Sequence, residues 1–162
     1  MIQKITPNLW FDTQAEEAAS FYVSIFPNSR IVSLGYYNDA VPSKAGQVVT
    51  VEFELEGQRF IAINGGPEFT FTEAISLMVN CETQDEIDYY WEKLQSDGGQ
   101  DGPCGWLKDR YGLAWQVAPT GLDRLYADPN SPGAARAMRA MLGMRKLDMA
   151  ALQAAAEGVP AR

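Results

Sequence analysis

Apolar and polar positions along this chain fall into short alternating runs separated by longer stretches of helical period. Residues 4–11 (KITPNLWF) predict a strand. Residues 13–26 (TQAEEAASFYVSIF) place Ala18, Phe21, Tyr22, Ile25 and Phe26 on one face of a helix, which Pro27-Asn28 ends. Strands are predicted over 30–37, over 48–55 (VVTVEFEL, with Val49, Val51, Phe53 and Leu55 alternating) and over 59–64. Glu56-Gly57 between the last two is a tight-turn signal, so they form a hairpin. Further on, 73–80 predicts a strand, 83–95 a helix stopped by Asp97-Gly98-Gly99, and 111–118 a last strand. Beyond Pro119 the pattern turns helical: Ser131-Pro132 reads as a cap and first turn, and Asp148 caps a final helix ended by Gly158.

The two halves repeat. Asp12-Thr13-Gln14-Ala15-Glu16 at the first helix start matches Glu82-Thr83-Gln84-Asp85-Glu86 at the second. Each contains Thr-x-x-Glu, a capping box that gives Glu16 and Glu86 a structural task. Laying 60–64 over 112–116 pairs Ala62 with Ala114 and Asn64 with Gln116. Because side chains alternate along a strand, Ala114, Gln116 and Ala118 share one face, and Leu113, Trp115 and Val117 pack under the helix from the other. The overlay assigns Ala62 and Asn64 to the same open face as Gln116.

Composition narrows the function. A chain of 162 residues, 46% hydrophobic and 21% charged, has the size and composition of one globular domain or of two small modules sharing one core. Its net charge of −8, with 13 Lys and Arg, argues against nucleic acid and anionic membranes as partners. MIQKITPNLWF shows no apolar signal region, and no apolar run is long enough to span a bilayer, so a cytoplasmic protein is expected, with Cys81 and Cys104 as reduced thiols. The absence of histidine excludes His-based triads and His-ligated zinc.

The phrases ITPNLWFDTQAEEAASFY, FPNSRI, INGGPEFTFTEAISLMV and CGWLKDRYGLAWQVAP together resemble the PhnB-like branch of the glyoxalase/bleomycin-resistance/extradiol-dioxygenase (vicinal oxygen chelate) superfamily. The resemblance implies an α+β fold of two pseudo-repeated βαβββ modules, their strands forming a curved mixed sheet around a cavity, in a homodimer. On that reading residues 1–121 form the paired domain, with modules of about 1–67 and 68–121, and 122–162 form its C-terminal helical extension. The wider superfamily implies a divalent metal held by a His on each module's first strand and a Glu on the last strand. Those positions fall here on Ile5, Ile75 and Gln116. Isoleucine has no lone pair and an amide is a weak ligand, so neither a metal nor any other cofactor is expected.

Many sequences of this branch are described as 3-demethylubiquinone-9 3-methyltransferases. No Gly-rich turn from a strand into a helix, of the kind that holds S-adenosylmethionine, is legible, since Asn64-Gly65-Gly66-Pro67 leads towards another strand. The expected function is therefore metal-independent binding of a small organic ligand. The alternative is an enzyme acting on a quinone-like, aromatic or thiol-conjugate substrate, metal-dependent only if Asp or Glu replaces the usual ligands. Asn64, Trp106, Gln116 and Trp10 are the expected ligand contacts. Gln116, Cys104, Asp109 and Arg110 are the candidates for orienting, nucleophilic, acid-base or charge roles. Loop 38–47 is either a solvent loop or a lid over a cavity mouth.

Overall fold

Alternation in 48–55 becomes a strand with Val51, Phe53 and Leu55 buried and Thr50, Glu52 and Glu54 facing away, and this strand anchors the first of two sheets. The computed structural model describes residues 3–159. They form two compact units that meet in the chain between Phe71 and Thr72.

The first unit contains β1 (Asn8–Phe11), α1 (Ala15–Ile25), β2 (Arg30–Tyr36), β3 (Val48–Leu55) and β4 (Gln58–Asn64). Its sheet runs β1-β4-β3-β2, with β1 parallel to β4 and the other pairs antiparallel. The Glu56-Gly57 turn forms as expected, with both residues at positive φ (47° and 81°), the geometry of a two-residue hairpin loop. Tyr22 of α1 stacks on Phe53, and Phe53 stacks on Phe60, so the helix closes an aromatic core over one face of the sheet.

The second unit contains β5 (Ser76–Cys81), α2 (Gln84–Leu94), β6 (Gln100–Asp101), β7 (Trp106–Lys108) and β8 (Ala114–Pro119), followed by a 3₁₀ turn at Leu122–Tyr126, α3 (Pro132–Leu142) and α4 (Met149–Glu157). Its sheet order is β5-β8-β7-β6, with β5 parallel to β8. The fold is thus mixed α+β, two βαβββ modules with C-terminal helices. The strands β6 and β7 complete the second repeat. Both were illegible because they are two and three residues long and flank Gly102-Pro103. Each C-terminal helix is capped as its residues predict: Ser131 Oγ accepts from the Ala134 N–H, Asp148 Oδ1 from that of Ala151, and Gly158 ends α4 at φ 78°. Among the described residues no helix is long and apolar enough to cross a membrane.

The repeat expectations need two corrections. Only at the second helix does the Thr cap form, with the Glu86 N–H on Thr83 Oγ1 at 3.2 Å, and there Glu86 Oε2 accepts from the Glu82 N–H, one residue ahead of the N-cap N–H that a capping box uses. At α1 the N-cap is Gln14, without a side-chain cap of its own, and the Ala15 N–H is taken by Asn64 Oδ1 at 2.8 Å. The strand overlay also shifts. Asn8 pairs with Ile61 and Phe11 with Asn64, whereas Met78 pairs with Gln116 and Cys81 with Pro119. With the helix starts matched, Ile61 is therefore the counterpart of Gln116 and Pro119 that of Asn64. The shift spans an odd number of residues, so Ala62 and Asn64 belong to the helix-covered face and Gln116 to the open one.

Candidate functional site

On the second sheet, Leu107, Trp115 and Val117 are buried, and alternation turns Ser76 and Met78 of β5, Gln116 of β8 and Trp106 and Lys108 of β7 to the other face. Gln116 lies between Met78 on one neighbouring strand and Trp106 on the other. Its Nε2 donates to Ser76 Oγ at 2.9 Å, which fixes the amide and leaves its oxygen as an acceptor. A neutral amide–hydroxyl pair beside an indole can orient a carbonyl or hydroxyl, but it supplies no charge. Ala118, on the same face, is buried in a cluster with Met141, Leu147 and Leu152, so the C-terminal segments cover this end of β8.

Beside it, the β6–β7 hairpin and Glu73 enclose a cleft of about 500 Å³, lined by Gln100, Asp101, Cys104, Trp106 and Lys108 among others. Gly102 makes room here, because a Cβ would stand 2.9 Å from the Trp106 carbonyl oxygen. Cys104 has φ 58°, and its N–H donates to Met144 O while that of Gly105 donates to Arg145 O. Arg145 in turn pairs with Asp101 at 2.6 Å. Lys108 Nζ meets Glu73 Oε1 at 2.5 Å, and this hydrogen bond above all holds the Glu73 carboxyl below its ordinary value. Cys81 differs from Cys104: it belongs to the core, and burial first, then the Glu86 charge, pushes its thiol up to about 11.

The other expected site residues have structural partners. Asp109, 3% exposed, accepts the N–H groups of Tyr111 and Leu113 on Oδ1 and the Trp115 indole N–H on Oδ2. Arg110 reaches Asp97 Oδ2 at 2.6 Å and Ser96 Oγ at 3.3 Å, tying the β7–β8 turn to the end of α2. Both polar atoms of the Asn64 amide are engaged, Oδ1 by Ala15 and Nδ2 by the Val48 carbonyl. Trp10 donates from Nε1 to Gly66 O, meets Phe69 edge-on and lies over Gly65, where a Cβ would fall 2.2 Å from its ring. Loop 38–47 closes on its own base through Tyr37 N–H to Gln47 O and Gly46 N–H to Tyr37 O. Sequence reasoning brought Gln116, Cys104 and Trp106 near one another but missed Ser76 and Glu73. Alternation in 73–80 already placed Ser76 on the face of Met78; nothing local marked Glu73.

A superfamily metal does not fit these residues. Ile5 and Ile75 are 85% and 66% exposed and precede their strands. In register, Met78 faces Gln116, and Asn8 faces Ile61. Neither pair offers a carboxylate or imidazole, and no group of three or more His, Cys, Asp or Glu among the described residues is placed to hold an ion. The Gly65-Gly66 turn does not suit S-adenosylmethionine either, since the Trp10 ring lies against Gly65 and its indole N–H takes the Gly66 carbonyl.

These features define a protein of the glyoxalase/bleomycin-resistance type of fold. Residues 3–118 match the family described as 3-demethylubiquinone-9 3-methyltransferase, and the chain belongs to that PhnB-like family. It is 42% identical to the PhnB protein of Bacillus cereus, whose methyltransferase description is provisional, over 73% of this chain and all of that one, with a TM-score of 0.64. Protein PA1353 of Pseudomonas aeruginosa shares the fold at 19% identity, covering 73% of this chain and 98% of its own, with a TM-score of 0.59. So does the fosfomycin resistance protein FosX of Listeria monocytogenes, solved with Mn(II) and sulfate, at 17% identity over 78% of this chain and 98% of that one, with a TM-score of 0.53. PhnB and FosX are members of the vicinal oxygen chelate superfamily. No curated protein sequence matches the chain.

Proposed function

We propose that this protein binds a small organic molecule through the β6–β7 cleft and the adjoining Gln116–Ser76 pair, without a divalent metal and without methyl transfer. The observation that carries the reading is the cleft itself: about 500 Å³, walled by Trp106 and edged by a few convergent polar groups, in a sheet whose metal-equivalent position carries Gln116. FosX holds Mn(II) on this fold, so the fold permits a metal; the donor set of this chain opposes one. A homodimer is part of the proposal, and light scattering coupled to size exclusion tests it.

A thermal-shift screen over quinones, aromatic acids and neutral aromatics tests the binding, because a ligand specific for the native state raises the midpoint by mass action. Hits lost on Trp106→Ala support the reading, and a screen without hits refutes it. Protein purified without chelator and dialysed against Mn²⁺, Ni²⁺ or Zn²⁺ is expected to retain no stoichiometric ion; retention released by Gln116→Ala would overturn the metal-free part. An enzymatic reading is favoured by one observation, the placing of Cys104 in the cleft wall. It requires turnover of a screening hit that disappears in Cys104→Ser.

A further inference from the structure

Within the cleft, two ion pairs differ in what they leave open. Asp101 and Arg145 hold each other through Nε to Oδ2 at 2.6 Å and Nη2 to Oδ1 at 3.0 Å, and a further bond from Nη2 to the Asp101 carbonyl completes the contact. Lys108 and Glu73 share a single contact. The backbone of Lys108 lies in β7, flanked in register by Gln100 of β6 and Ala114 of β8. Glu73 lies in the exposed turn ahead of β5 and is the more open of the two side chains, 58% against 36%.

An ion pair this accessible holds its partners weakly, so exchanging one carboxylate for another on Lys108 costs little. Around the lysine the cleft is largely apolar, with Pro103 and Trp106 among its walls. From this we infer that the cleft takes a planar aromatic carboxylate, its ring on Trp106 and its carboxylate on Lys108 Nζ in the place that Glu73 occupies. The inference rests on the small-molecule reading above and specifies its ligand. Glu73 then acts as a tethered competitor: it fills the cationic end of the empty cleft and must swing into solvent when an acid enters. A cationic ligand is disfavoured by the same asymmetry, because it would have to displace the less exposed partner and leave the more exposed one in place.

Calorimetric titration of the full chain with 2-naphthoate and with its uncharged isostere 2-naphthamide tests this. Naphthoate is expected to bind one per chain, about threefold tighter to Glu73→Gln and about tenfold weaker to Lys108→Met, the sizes expected for removing a competing or a binding charge at a half-exposed site. Naphthamide should bind more weakly and respond to neither substitution. Bound naphthoate should also slow alkylation of Cys104 by iodoacetamide. Naphthamide binding as tightly as naphthoate, or a Glu73→Gln variant no tighter than the parent, overturns the carboxylate assignment and leaves small-molecule binding standing. Failure of both compounds on every variant overturns the assignment as well, and only if the wider screen is also empty does the binding reading fall with it.

Discussion

Trp115 donates its indole N–H to Asp109 Oδ2 at 2.9 Å beneath the second sheet, while Oδ1 of the same carboxylate gathers two backbone N–H groups of the β7–β8 turn. Asp109 is thus the peg on which that turn hangs, and three buried or half-buried donors lose their acceptor if it is removed. Asp109→Ala is expected to destabilise the fold by roughly 3 kcal/mol, since unsatisfied buried donors carry their full desolvation cost. Urea denaturation followed by tryptophan emission measures the loss. If the carboxylate instead served a ligand, the variant would keep its stability and lose only binding.

Asn64 gives a comparable test in the first unit. Its amide caps α1 through Oδ1 and ties β4 to the Val48 carbonyl through Nδ2, so Asn64→Ala should cost about 1–2 kcal/mol, the usual scale for losing a helix N-cap. Ligand affinity in the screen should stay unchanged, and a selective loss of affinity at full stability would restore Asn64 to the binding residues.

Gly65 is constrained by contact rather than by φ. The Trp10 ring lies where its Cβ would be, so Gly65→Ala must push the indole away from the Gly66 carbonyl it bonds. Overpacking of this kind costs roughly 2 kcal/mol, and a red shift in tryptophan emission should accompany it. Unchanged emission and stability would show that the indole is free to move.

Two titrations follow from the shifted groups. Cys81, with its thiol pushed up to about 11 from 9.0, keeps its proton in the folded chain at a pH where the unfolded chain has lost it. The Cys81 contribution to stability should therefore fall as pH rises from 9 towards about 11, by at most about 1.4 kcal/mol per pH unit, and the decline should be smaller by that contribution in Cys81→Ala. Glu73 has the opposite sense: its carboxyl sits below 4.5, so the Lys108 contact stabilises above that value and is lost as pH falls through the lowered one. In Lys108→Met the Glu73 midpoint, read by NMR, should rise towards 4.5.

What was legible in the sequence were features set by neighbouring residues. Glu56-Gly57, Ser131-Pro132 and Asp148 each act through their own backbone, and all appear where their chemistry put them. The face of Gln116 was legible too, because alternation within one strand needs no partner. Asn64 was not: an Ala-x-Asn and an Ala-x-Gln look alike, and only pairing with β1 and β5 shows them to be out of step. The α1 cap and the Glu73–Lys108 contact join residues distant in sequence, and no local pattern encodes such a meeting.

The two ways of capping the repeated helices imply different histories for the two modules. Thr83 and Glu86 close the first turn of α2 as soon as that turn winds, whereas the Ala15 N–H waits for Asn64, 49 residues further along, to arrive on β4. Closing that loop costs chain entropy before the bond rewards it. Of two helices with matching starts, α2 can form early and α1 is completed late. Thr83→Ala should then slow refolding, while Asn64→Ala should chiefly speed unfolding.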